Sequence, residues 1–172
     1  MKWNLDPTHA EIGFKVRHLM ITNVSGAFKK FNGEVETDGE DFTTARVKFS
    51  VETSSVDTGN EQRDGHLKSA DFFDAENHPN MVFESTGMKK VDDGNYELHG
   101  NLTIRETTHP VKFDVEFGGI GKDPWGNTKA GFSLNGKIRR TDWGLNWNAP
   151  IEAGGVLVSE DVKIHAEVQF AK

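Results

Sequence analysis

The residues best equipped for chemistry in this chain are its seven histidines: His9, His18, His66, His78, His99, His109 and His165. Imidazole is the commonest zinc ligand and the natural proton carrier near neutral pH. A metal site built on one element wants H-x-H or H-x-x-x-H spacing, and these histidines are scattered with no such pair. Cysteine is absent, which removes thiolate nucleophiles, thiolate metal sites and disulfides. No G-x-S-x-G elbow, phosphate-cradling loop or dinucleotide fingerprint is present. The many carboxylates fall in turns or between apolar neighbours, where a solvated charge is the ordinary outcome, and no glycosidase-like pair is legible. The expectation is therefore no catalytic residue, no metal and no cofactor.

Two clusters stand out. Arg63-Asp64-Gly-His66-Leu67, followed by Asp71-Phe72-Phe73-Asp74, mixes charge with core-type aromatics. It reads as a helix packing Leu67, Phe72 and Phe73 over one end of the fold, with its Asp residues capping or pairing with Arg63. The functional reading is a lid with a polar lip. Arg139-Arg140-Thr-Asp142-Trp143-Gly144-Leu145-Asn-Trp147 joins cations to two indoles, and a surface or ring-stacking role is favoured there over a phosphate clamp.

The elements that would position these groups are strands. Apolar and polar residues alternate in Ile12–Val16, Val47–Val51, Met81–Ser85, Tyr96–Ile104, Val111–Phe117, Phe132–Ile138 and Val162–Phe170, the period of a half-buried strand. A further segment, Gly26 to Thr37, bends near Lys30-Phe31, giving about eight strands. Asp93-Gly94 marks a hairpin, and Asp123-Pro124-Trp125-Gly126 marks a turn. Helix is expected only from about Gly59 to Ser69, with Thr58 and Glu61 as a capping box. Strands without intervening helices favour an antiparallel barrel or sandwich. Gly33, Gly100 and Gly136 occupy the apolar register, where they either leave room for a ligand or let the sheet bend.

With 172 residues and even composition, one domain spans 1–172. The net charge of −7 argues against nucleic acid. No apolar run approaches the ~20 residues of a spanning helix, so no stable membrane insertion is expected. The opening Met1-Lys-Trp-Asn-Leu-Asp-Pro7 shows no signal-type apolar segment. A cytoplasmic protein is the direct reading, and a trimmed periplasmic one would read the same.

The chain also resembles a known family. Trp3-x-Leu5-Asp6-Pro7-x-His9-x-x-Ile12-x-Phe14, His18-Leu19, Gly26-x-Phe28, Thr58-Gly-Asn60-x-x-Arg63-Asp64-x-His66-Leu67 and Asp71-Phe72-Phe73 carry the likeness. So do Pro79-x-Met81-x-Phe83-x-Ser85-Thr86, Gly100-x-Leu102-Thr103-Ile104 and Arg140-x-Asp142-Trp143-Gly144-Leu145. These blocks, in this order from Trp3 to Phe170, resemble the YceI-like family of lipocalin-like, polyisoprenoid-binding bacterial proteins. Glu106 stands where many members have Gly. The resemblance implies an extended eight-stranded antiparallel β-barrel, non-enzymatic and often dimeric. Its tunnel would hold a polyprenyl chain, an isoprenoid quinone or another long-chain lipid.

On that reading the tunnel is lined by Phe14, Val16, Phe28, Val47, Phe49, Val51, Met81, Phe83, Leu98, Leu102, Ile104, Val111, Phe113, Val115, Phe132, Leu134, Ile138, Ile164 and Val168. The mouth or lid would comprise Arg63, Asp64, His66, Leu67, Phe72, Phe73 and Trp143. The competing class is a filled β-domain that binds protein or carbohydrate through exposed Trp125, Trp143 and Trp147. An enzyme acting on an isoprenoid would instead need a polar pair facing the tunnel.

Overall fold

The computed structural model describes residues 1–19, 21–149 and 157–172. Among the described residues eleven strand segments, all paired antiparallel, make the fold: β1 (Lys2–Leu5), β2 (Glu11–His18), β3 (Thr22–Phe28), β4 (Phe31–Asp38), β5 (Asp41–Glu52), β6 (Val56–Asp57), β7 (Asn80–Asp92), β8 (Asn95–Ile104), β9 (Thr107–Lys122), β10 (Thr128–Arg139) and β11 (Val158–Ala171). Six of these are halves of three bent strands. β1 and β2 both pair with β11, β4 and β3 continue alongside them, and β5 and β6 follow in the same way. The breaks fall at Asp6–Ala10, Lys29–Lys30 and Thr53–Ser55, one per strand. The bend expected near Lys30-Phe31 is the middle one.

Counted this way there are eight strands, and they close. β1 hydrogen-bonds to β11 on one side (Leu5 opposite Phe170) and to β4 on the other (Trp3 opposite Val35). Closure leaves that part of the sheet without a free edge. The β7–β8 hairpin turns at Asp93-Gly94, with Gly94 at φ 80°. The Asp123 turn is an Asx turn: one carboxylate oxygen accepts the Trp125 and Asn127 amides, both at 2.9 Å, and Gly126 takes φ 82°.

Among the described residues there is one α-helix, α1 (Glu61–Lys68), which connects β6 towards β7. Its cap differs from the expected box. Gly59 at φ 80° turns the chain so that Asn60 is the N-cap, its side chain accepting the Arg63 amide at 3.0 Å. Thr58 is instead bound to two residues of the helix. It donates to Asp64, and it accepts from Arg63 Nε at 2.7 Å through its hydroxyl and from Nη2 at 2.8 Å through its carbonyl. Arg63 thus pairs with Thr58 rather than with an Asp.

One end of the barrel is packed solid with rings. Phe42 lies 5.6 Å from Trp3, 5.0 Å from Phe117 and 5.0 Å from Phe132, and Phe132 meets Phe170 at 6.1 Å. Trp3 is fully buried, and its indole N–H donates to the buried Thr37 hydroxyl at 3.1 Å. Beside this plug, Lys129 and Asp6 form a 2.6 Å ion pair that ties β10 to the β1–β2 break.

The inward glycines do not leave open space. A β-carbon on Gly33 would lie 2.7 Å from the Phe49 ring, on Gly100 2.4 Å from Phe83, and on Gly136 2.4 Å from Phe113; Gly26 stands in the same relation to Phe14, also at 2.4 Å. Each glycine is a seat for a ring from the neighbouring strand, the arrangement in which an aromatic covers the gap a glycine leaves.

Candidate ligand cavity

Above the aromatic plug the barrel encloses a cavity of about 840 Å³, within the range of ligand sites. All the tunnel residues expected from the alternation border it except Val111, Val115 and Phe132. Val115 and Phe132 are buried in the core, and Phe132 belongs to the plug. Val111 is half-buried, packs against the core and does not reach the cavity. Ile12, Val162 and Ala166 also border the cavity. They share the alternation that identified their neighbours and were legible in it.

Many wall residues, including Val16, Val47, Phe49, Leu134, Ile138, Val162 and Ile164, are only half-buried although they point inward. In the plug Trp3, Phe42 and Phe170 are at most 3% exposed. That contrast locates the floor of the cavity. From Val158 to Val168 along β11 the wall rises about 25 Å along the barrel axis, taking ~3.3 Å per residue and a ~40° tilt. The bore is a blind tunnel.

Its polar lining residues are Arg17 and His18 at the end of β2, Thr58, Asn60, Gln62, Arg63 and His66 around α1, and Arg140 beyond β10. They gather at the end opposite the plug. Among the mouth residues expected from sequence, Arg63, His66, Leu67, Phe72 and Phe73 border the cavity. Asp64 does not, because its carboxylate is used locally, accepting the Thr58 amide at 2.9 Å and the Thr58 hydroxyl. Trp143 is also displaced from the mouth. It is 3% exposed, donates its indole N–H to the Leu102 carbonyl at 2.8 Å and lies 5.5 Å from His109, so it rivets the loop after β10 onto β8.

The lid is an aromatic cluster. His66 Nε2 lies 2.9 Å from Asp71 Oδ2, and its ring meets Trp147 edge-on at 4.6 Å and Phe72 at 5.2 Å. Phe73 packs edge-on against Phe28 of the wall at 5.6 Å. Beneath the cluster lies Arg140, where of the two expected roles ring stacking holds and a surface place does not. Arg140 is no surface cation: it is 4% exposed and donates to the carbonyls of Leu145 (2.6 Å), Trp147 (2.9 Å), Ser159 (2.9 Å) and Val158 (3.3 Å), with its guanidinium 5.9 Å from the Phe72 ring. Burial pulls its pKa below the ordinary value, and the charge of Glu160 opposes that shift. Arginine stays protonated all the same. A cation next to aromatics signals either a surface stack or a buried clasp, and only the loop's path decides between them.

A sequence profile of the YceI-like domain matches residues 3–170. The chain belongs to the YceI-like family. A UPF0312 protein of Staphylococcus epidermidis is 39% identical over 171 residues, covering 99% of this chain and 97% of that one. The crystal structure of a Campylobacter jejuni YCEI protein superposes with a TM-score of 0.79 at 33% identity, covering 91% of this chain and 89% of that one. A polyisoprenoid binding domain from Saccharophagus degradans shares the fold with a TM-score of 0.67 at 13% identity, covering 98% and 97% of the two chains. Within this YceI-like barrel, Glu106 in place of glycine costs nothing in backbone strain. In the two-residue β8–β9 turn it is Arg105, at φ 57°, that takes the left-handed conformation.

Proposed function

We propose that this YceI-like protein binds one long-chain apolar amphiphile, a polyisoprenoid or isoprenoid quinone, tail-first in the barrel, for storage, transport or sequestration and without catalysis. The observation that carries this reading is the shape of the cavity: about 840 Å³ with hydrocarbon walls, a ring-packed floor and, among the described residues, polar groups only at the mouth. Each methylene drawn from water into such a bore contributes about 0.8 kcal/mol gross, so a tail filling it has ample driving force, and net affinity saturates far below the sum. The polyisoprenoid binding domain that shares this fold is in keeping with the same class of ligand. A filled core with a binding surface outside fits poorly with walls whose inward side chains are half-buried.

Native mass spectrometry of freshly purified protein, followed by organic extraction, tests the proposal. A 19.2 kDa chain carrying one stoichiometric long-tailed lipid is the expected result. Protein that neither carries such a lipid nor takes up a prenyl alcohol or quinone would overturn it. A homodimer is proposed on the family likeness, and light scattering giving twice the chain mass checks it.

A further inference from the structure

The three hairpins at the ring-packed end turn on glycine: Gly39, Gly94 and Gly126 take φ 62°, 80° and 82°, in turns that also carry aspartate. The β2–β3 hairpin, at the mouth, is built otherwise. Its turn reads Leu19-Met20-Ile21, and Leu19 itself takes the left-handed conformation, at φ 54°. A bulky side chain is rarely placed there, because glycine or asparagine turns more cheaply. The Ile21 amide donates to the His18 carbonyl at 3.2 Å and the Leu19 amide to the Leu157 carbonyl at 2.8 Å, which fastens the turn to two residues lining the cavity. Its apolar side chains are nonetheless left in water: Ile21 is 72% exposed and Leu19 37%.

The outer face beside this hairpin is sorted by charge along the strands. Towards the plug, Glu11 lies opposite Glu167. Nearer the mouth, Lys15 lies opposite Lys163 and Lys163 opposite Lys137, so three exposed lysines cross β2, β11 and β10 in one row. Like charges directly opposite one another weaken a sheet. The acids at this end of β11 are met by cations of β10, Glu160 by Arg139 at 2.9 Å and Asp161 by Lys137 at 3.8 Å. From residue 12 to residue 33, which includes the whole turn, the sequence holds no acid at all. The lysine row stands about 10 Å behind the turn, at ~3.3 Å per residue.

We propose, building on the lipid-binding reading, that the β2–β3 hairpin docks the mouth of the barrel onto an anionic lipid bilayer. The Leu19-Met20-Ile21 turn enters the apolar edge of the bilayer, where its exposed side chains leave water, and the lysine row faces the anionic heads. A bilayer presents an anionic layer over an apolar one, in the order in which this face presents its lysines and then its tip. It does so at the entrance that a lipid tail must pass to reach the bore. No helix among the described residues is long and apolar enough to span a membrane; the contact is peripheral, one turn deep, and reversible. The overall charge of −7 opposes approach at long range, but at physiological salt charges more than about 8 Å away are largely screened. Groups at the contact therefore outweigh the remote surface.

The test is flotation of the whole chain with phosphatidylcholine vesicles, with and without phosphatidylglycerol, at physiological salt. Binding to the anionic vesicles is expected to be at least about tenfold tighter than to phosphatidylcholine alone. Leu19→Asn combined with Ile21→Asn removes the apolar tip and gives the left-handed position a residue that tolerates it. That variant should fold and bind anionic vesicles at least about tenfold more weakly. Lys15→Gln with Lys163→Gln relieves the like-charge row and should erase most of the preference for phosphatidylglycerol. Trp125→Ala, at the ring-packed end, should change neither. Uptake of a fluorescent lipid probe from solution, without vesicles, should be the same in every variant. If the unsubstituted chain takes up the probe but does not float with anionic vesicles, or if the tip variant floats as well as it does, docking is overturned and the lipid-binding reading stands. Absence of probe uptake by the unsubstituted chain overturns that reading and this proposal with it.

Discussion

The two halves of this barrel are built from the same alternating strands and the same favoured residue, yet one half is solid and the other hollow. In the solid half, Trp3, Phe42, Phe117, Phe132 and Phe170 point towards the axis and meet ring to ring. In the hollow half, Phe14, Phe49, Phe83 and Phe113 lie over Gly26, Gly33, Gly100 and Gly136 on neighbouring strands. A ring seated on a glycine is held back along the wall instead of crossing the bore. Alternation settles which face of a strand is apolar; the neighbour across the ladder settles whether that face fills space or bounds it.

The sharpest way to break the comparison is to delete a ring from each half. Phe42 is 3% exposed and touches three other rings, so Phe42→Ala should cost ~3–5 kcal/mol. Phe49 is only half-buried and partly faces the cavity. Phe49→Ala should cost clearly less, about 1–3 kcal/mol, with added lipid recovering part of the loss by mass action. Denaturant unfolding with and without a bound prenyl lipid measures both. Equal losses would mean that the two halves are packed alike.

Next in size is the glycine seat. On Gly136→Ala the new methyl group would sit 2.4 Å from the Phe113 ring, forcing it into the bore. About 1–3 kcal/mol of stability should be lost, and the protein should co-purify with less or slimmer lipid. Gly100→Leu should be worse, because the Glu84 carbonyl lies 2.5 Å away and backbone cannot swing aside. Gly131→Ala, which meets nothing within 4 Å, is the matched control in β10. Thermal unfolding beside lipid mass spectrometry reads the series.

The sequence made the barrel legible because period-2 alternation is a local signal, and it marked nearly all of the wall. It could not say where the wall ends and the plug begins. Phe132 and Leu134 share one register on β10, and the position of the floor depends on rings delivered by β1, β5 and β9. For the same reason Gly136 read as room for a ligand or a point of bending, since its occupant, Phe113, arrives from another strand. Arg140 and Trp143 were singled out by type, but the burial of the one and the displacement of the other from the mouth were not legible, because a loop's path carries no periodicity. Arg17, His18 and Gln62 were not assigned to the mouth: on an alternating pattern they look like ordinary solvated residues, and only the assembled barrel brings them to it.

A smaller effect probes the solid half from outside. Asp6 is held down to about pKa 2, chiefly by the Lys129 ammonium and then by the Thr8 hydroxyl. Because its folded pKa is depressed, the pair's stabilisation is present above the unfolded value near 4 and drains away as pH falls towards 2. Asp6→Asn should cost about 1–2 kcal/mol at neutral pH, and the difference from the unsubstituted protein should vanish across that acid window. Unfolding curves collected from neutral pH to pH 2 check the sign; a difference that persists at the acid end would assign the loss to packing rather than to the ion pair.

The smallest effect expected is at Trp125, and it separates interior from surface binding. Trp125 is 82% exposed at the tip of the β9–β10 hairpin, at the ring-packed end and away from the mouth. Its indole makes no ring contact with the core, and the turn beneath it is held by Asp123 through backbone amides that survive substitution. Trp125→Ala should therefore change stability by no more than ~0.5 kcal/mol and leave the co-purified lipid unaltered. A bare indole of this size is nonetheless the type of residue that anchors interfaces, so the same variant is run by light scattering. Unchanged lipid with a fall in mass from dimer to monomer would place the subunit contact at the solid end. That would leave the mouth free in the assembly and extend the division of labour between the halves, the filled one for association and the hollow one for ligand. Loss of lipid on removing a side chain so far from the cavity would count directly against tail-first binding from the opposite end.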